Sequence, residues 1–105
     1  MALIDTLLNK YILVKTQSSG CFAGYLKAKE NNEVILTNCR RLWSWTGADS
    51  ETDLATNGTS LPHLCSFSAP VAEIYLTNVI EIIPVTEIAQ ASIQSVSNWS
   101  VQSNG

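Results

Sequence analysis

The chain is short of charge, of long apolar runs and of histidine, and each shortage excludes something. Charged residues make up only 14% of the 105 positions, which argues against a charge-driven disordered chain. No Lys or Arg follows Arg41; all six basic residues (Lys10, Lys15, Lys27, Lys29, Arg40, Arg41) precede position 42. A broad basic surface able to grip duplex nucleic acid is therefore not expected. The apolar run at 11–14 stops at Lys15, whereas a spanning helix needs roughly 20 apolar residues, so no membrane partner is expected. Residues 1–6 hold Asp5 and no basic residue, so no secretory leader is expected either. His63 is the single histidine, and Cys21, Cys39 and Cys65 show no Cys-x-x-Cys spacing. A zinc set drawn from these four residues lacks the usual ligand pattern. Cys65 as a nucleophile with His63 as its base is awkward at that separation. Three cysteines, an odd number without an export signal, point to free thiols in a reducing cytoplasm. Walker loop, dinucleotide fingerprint and serine-hydrolase elbow are all missing. The expectation is no enzyme, no metal and no cofactor.

What the chain does hold is apolar and amide-rich. Val, Ile and Leu supply 27 residues, enough for one small core and not for two. Ser, Thr, Asn and Gln supply 33, so the surface is polar through hydroxyls and amides. The few charges are unevenly placed. Up to Trp45, six basic residues face the acids Asp5, Glu30 and Glu33, a net +3; from Thr46 onward Asp49, Glu51, Asp53, Glu73, Glu81 and Glu87 stand alone, a net −6. Such a split allows a focused anion site, or attraction between opposite faces of neighbouring copies, and it predicts a homo-oligomer.

Periodicity gives a β-rich reading. Residues 11–16 form a strand closed by the turn-prone 17–20. Strand 21–30 alternates Phe22, Gly24, Leu26 and Ala28 against Ala23, Tyr25, Lys27 and Lys29, and Gly24 suggests a bulge. Asn31 and Asn32 suit a hairpin turn, and 33–38 returns as a third strand that 39–45 extends or follows. Ser50, Glu51 and Asp53 resemble a capping box opening a short helix over 51–57, which Gly58 closes. Residues 61–70, with two prolines, read as a loop. Strands follow at 73–77 and 79–83, stopped by Pro84. Thr86 then caps a helix whose buried stripe is Val85, Ile88, Ala89, Ile93 and Val96, with Trp99 fastening its end. The expected fold is mainly β with short helices: a small, strongly bent SH3-like or Sm-like barrel of about five strands, a short inserted helix and a C-terminal helix. One domain covers 1–99, and 100–105 is a polar tail.

The most unusual stretch is Cys39-Arg40-Arg41-Leu42-Trp43-Ser44-Trp45. In an extended strand Arg41, Trp43 and Trp45 share a face, while Arg40 and Ser44 point the other way. A guanidinium beside indoles can pair with phosphate while an indole stacks on a base. Arg40, Arg41, Trp43 and Trp45 are therefore the candidate ligand-binding residues, and an anionic nucleotide the candidate ligand. The alternative is that the tryptophans close the core and Arg41 stacks on one of them. Asp49, Glu51 and Asp53 could hold a cation or simply complement a helix start. Glu81 is either a solvated rim residue or a partner for Arg40 or Arg41.

Several blocks share a resemblance: 20–26, then Cys39-Arg40-Arg41-Leu42-Trp43-Ser44-Trp45 with 46–48, Leu54-Ala55 with Gly58, and Val79-Ile80-Glu81-Ile82-Ile83-Pro84. From about Tyr11 to Ile93 the chain resembles a widespread family of small proteins encoded by tailed bacteriophages and prophages. It departs at Val85, where such proteins often carry cysteine, and this argues against a thiol role there. The resemblance implies a phage protein in the host bacterial cytoplasm. Two roles are expected of it. One is a non-enzymatic accessory protein that binds in the infected cell, sequestering a nucleotide-derived host immune signal or engaging a host protein. The other is a virion component, capsid-associated or at the neck, acting through protein–protein contacts.

Overall fold

The computed structural model describes residues 3–99, so the expected tail at 100–105 lies outside the described residues. Six strands and two helices follow in the order β1 (Tyr11–Thr16), β2 (Cys21–Glu30), β3 (Glu33–Ser44), α1 (Glu51–Asn57), β4 (Ser66–Phe67), β5 (Val71–Leu76), β6 (Val79–Pro84) and α2 (Glu87–Ser95). Short 3-10 turns precede β1 (Leu3–Leu7) and β4 (Pro62–Leu64). Every strand pairing is antiparallel, in the order β4-β3-β2-β1-β6. The outer edge of β3 is shared: Val34 to Cys39 pair with β5, and Leu42 and Ser44 with β4. The sheet curls without closing, since β5 and β6 do not pair with each other. The expected mainly β, bent architecture is the one adopted, with six strands instead of five.

Local chemistry explains the bend. Asn31 takes a left-handed backbone at φ 55° in the β2–β3 turn, a conformation Asn tolerates well. The β2–β3 ladder then slips twice, between Ala23 and Tyr25 and between Leu26 and Ala28. At the first slip β3 carries the extra residue, Asn38, at φ 48°. Opposite it Gly24 lies so close to β3 that a Cβ would stand 3.0 Å from the Cys39 Cα. Paired bulges of this kind bend a long hairpin and raise its twist. Of the segment 39–45, residues up to Ser44 extend the third strand and none begins a fourth; Trp45 lies just beyond it.

Burial falls on both faces of the bent sheet. The inner, strand-lined cluster comprises Ile12, Val14, Phe22, Leu26, Val34, Leu36, Cys39 and Leu76. The outer cluster sets Tyr11, Leu13, Cys21, Ala23, Leu42 and Phe67 beneath Leu54 and Ala55 of α1 and Ile93 and Val96 at the end of α2. Cys21–Ala23 are consecutive buried residues for this reason, and simple inside–outside alternation fails along β1 and β2.

The helices are fixed as the caps predicted. The Ser50 hydroxyl accepts from the Asp53 N–H at 3.2 Å, and the Thr86 hydroxyl from the Ala89 N–H at 3.0 Å. The Asp53 carboxylate accepts from the Asp49 N–H, one residue before the box position. The Thr86 hydroxyl also donates to the Thr56 carbonyl at 2.7 Å, locking α2 to α1. The predicted stripe of α2 needs correction. Ala89, Ile93 and Val96 are buried, but Ile88 is 75% exposed, because one residue of rotation turns it about 100° away from Ala89. Residues 61–70 are more ordered than a loop: Phe67 of β4 is fully buried in the outer cluster. Among the described residues no helix is long and apolar enough to cross a membrane.

Candidate ligand-binding face

Strand β3 and the residue just after it, Trp45, place the four predicted site residues in different surroundings. Arg40 is 2% exposed and faces the outer cluster. Its Nε donates to the Ser68 carbonyl and its Nη1 to the Ile93 carbonyl, both at 2.7 Å. Its Nη2 reaches the Asn98 Oδ1 at 3.2 Å and the Phe67 and Ser97 carbonyls at 3.5 Å. The guanidinium also lies 5.5 Å from the Phe67 ring centre. Burial lowers its pKa from the ordinary arginine value. Arg40 thus serves the fold, tying the end of α2 and the segment after it to β4.

Arg41 faces the other way, half-buried with its guanidinium 4.6 Å from the Phe22 ring centre. Its Nη1 donates to the Ser19 carbonyl at 3.0 Å. Trp45 packs partly buried against the outer cluster. Trp43 is 52% exposed. The expected common face of Arg41, Trp43 and Trp45 is therefore split, and the cause is the register slip between Leu42 and Ser44 where β4 pairs. One added residue reverses side-chain parity, so Trp45 joins the Leu42 side while Arg41 keeps the Phe22 side.

A different partner meets Trp43. Trp99, 46% exposed, sets its ring 5.1 Å from that of Trp43 at an interplanar angle of 72°, an edge-to-face pair. The Trp99 N–H donates to the Phe67 carbonyl at 2.8 Å, and Asn98 forms a parallel bridge with Phe67. Arg40 holds Asn98 from below. Trp43, Ser44, Ser66 and Trp99 line an open cleft of about 320 Å³. Two indoles offer flat apolar faces, and two serine hydroxyls can donate or accept at its edge. No Lys or Arg lines it. The sequence offers Trp99 only as a fastener for the helix end, and no spacing links it to Trp43.

The other candidates resolve into structural roles. Asp53 accepts from the Asn57 side chain and the Asp49 N–H, both of which lower its pKa. Glu51 pairs with Lys15 at 3.4 Å. Glu81 is exposed and stands opposite Lys15 in the β1–β6 register, away from Arg40 and Arg41. Among the described residues no group of three or more His, Cys, Asp or Glu is placed to hold a metal ion. The three cysteines are free. His63 lies exposed in the second 3-10 turn.

Comparison with known proteins places the fold before the function. No curated protein matches the chain. Among solved structures it is similar to a heptameric archaeal Sm protein, with a TM-score of 0.53 and 17% identity, over 82% of this chain and 100% of that one. At that identity the likeness shows the fold alone, and it agrees with the Sm-like alternative read from the strand pattern. Residues 9–93 match a family of their own, so the chain belongs to the family described as Domain of unknown function (DUF6948).

Proposed function

We propose that this chain is a non-enzymatic phage accessory protein that works by binding in the infected bacterial cytoplasm, with the Trp43–Trp99 cleft as its capture face. The observation that carries this reading is the indole pair itself. Two large aromatic side chains stand about half exposed and in direct ring contact, which none of the other exposed apolar side chains among the described residues does. Exposed paired aromatics of this kind mark contact sites more often than isolated surface residues do. A nucleotide-derived host signal suits the cleft through its base, since stacking on an indole contributes about 1–3 kcal/mol per base. A homo-oligomer is part of the proposal. Charge separates along the chain, the unpaired edges of β5 and β6 carry exposed Val71, Tyr75 and Ile80, and the similar Sm protein is heptameric.

Titration with cyclic dinucleotides and ADP-ribose derivatives tests the reading, with all three tryptophans as fluorescent reporters and light scattering on the same samples. Saturable quenching that Trp43→Ala weakens at least tenfold, in an assembly larger than 11.4 kDa, is the expected result. A chain that ignores every nucleotide and is found in purified virions would move the assignment to the virion role, which the apolar strand edges would equally serve.

A further inference from the structure

A second cleft, of about 230 Å³, is lined by Tyr11, Asn38, Arg40, Pro70 and Gln94 and shares no residue with the tryptophan cleft. Tyr11 is 4% exposed, and its hydroxyl is enclosed with no hydrogen-bond partner among the described residues. That hydroxyl feels Cys39 and Arg40, both on β3 beside the cleft. Asn38 stands exposed on the β3 bulge and Gln94 exposed on α2. Neither side chain makes a hydrogen bond among the described residues. Arg40 makes no ion pair among them, and its guanidinium is met by carbonyls, one amide oxygen and the Phe67 ring, none of them an anion. A buried cation without a counter-charge thus borders a cleft whose unused polar groups can all donate. A charge so placed favours an anion strongly, because little water screens it.

We infer that this cleft binds a small oxyanion, a phosphate or carboxylate group, with the Tyr11 hydroxyl and the Asn38 and Gln94 amides donating and Arg40 supplying the opposite charge. An ordinary phenol is already protonated at neutral pH, and burial raises the Tyr11 pKa further, so the hydroxyl is a donor there. The Asn38 and Gln94 amides stand exposed at the mouth of the cleft. The site stands whether or not the tryptophan cleft binds a base.

Thermal melts and calorimetry on the full chain test this, with inorganic phosphate and acetate against chloride at equal ionic strength. Phosphate, acetate or both should raise the melting temperature of the wild type, and the more effective ion identifies the class of group. Tyr11→Phe keeps the ring and removes the orphaned hydroxyl, so in chloride it should melt no lower than wild type. Its affinity for the effective anion should fall at least tenfold, and Gln94→Ala, on the exposed side of α2, should lower it several-fold. Trp43→Ala should leave the anion response unchanged, which separates this site from the tryptophan cleft. An equal response in wild type and Tyr11→Phe, or no response in the wild type, overturns the inference.

Discussion

The two faces of the one sheet differ in what they bury. The inner cluster is closed by strands and, apart from the Cys39 thiol, holds hydrocarbon side chains only, from Ile12 and Phe22 to Leu36 and Leu76. The outer cluster is roofed by two helices and β4, and it admits a guanidinium and an unpartnered phenol beside Leu13, Leu54 and Ile93. Strands β2 and β3 bring their own hydrogen bonds with them, so the inner face takes little from side chains: the Cys39 thiol reaches the Arg40 carbonyl at 3.8 Å, and Arg41, over Phe22, the Ser19 carbonyl at 3.0 Å. Helix ends and loops arrive with spare carbonyl capacity, and on the outer face Arg40 adds donors to it, beside the Val96 N–H on the Ile93 carbonyl and the Trp99 backbone N–H on the Phe67 carbonyl. Both candidate clefts are built around this polar inlay: Arg40 borders one, and through Asn98 it holds the segment that carries Trp99 to the other.

If this contrast is right, truncation inside the strand cluster should cost most. Phe22→Ala should lose about 3–5 kcal/mol by transfer and cavity formation, read as a shift in urea midpoint, and it would free Arg41 from its ring contact. A loss below 1 kcal/mol would mean that the inner face is not the tightly packed one. Arg40→Met, which fills similar volume, should cost less, about 1.5–3 kcal/mol, because it strips a charged donor from the Ser68 carbonyl and from the Ile93 carbonyl, which keeps the Val96 N–H. Near-native stability in that variant would show that the polar inlay is dispensable.

The smallest effect concerns the thiols. Burial pushes the Cys39 thiol in the inner cluster from 9.0 up to about 12, whereas Cys21 in the outer cluster is raised by burial and then by Glu51. The unfolded chain releases the Cys39 proton near its ordinary value while the folded chain holds it. Its contribution is therefore complete below pH 9.0 and is lost as pH rises toward about 12. Melts across that window should decline less steeply for Cys39→Ala than for wild type. Native-state alkylation should reach the half-buried Cys65 first and Cys39 last.

How much of this was legible in the sequence depends on whether neighbours in the chain decide it. Caps such as Ser50 and Thr86, the Asn31 turn and the strands themselves rest on local chemistry, and each was readable. The shared outer edge of β3 and the burial of Phe67 depend on pairing between distant segments, so 61–70 read as a loop. Bulges decided the site. A strand argument that counts odd and even positions is right for Arg41 and wrong for Trp45, because one inserted residue near Ser44 reverses the faces. Asn38 was a readable hint, being an Asn of the kind that tolerates positive φ, but nothing in its neighbours says that the ladder slips there. The Trp43–Trp99 pair and the Tyr11 hydroxyl had no sequence signal at all.

The reach of Arg40 has a consequence for how the molecule opens. One guanidinium gathers carbonyls from β4 and the residue after it, from the last turn of α2, and from the Ser97–Asn98 segment. Those three stretches cannot fray one at a time, since releasing any of them leaves the same charge partly unsolvated. They should exchange their amide protons as a single cooperative unit, separate from the β1–β2–β3 ladder. The aromatic face would then be present or absent as a whole, switched by the opening of that unit and not by the motion of either indole.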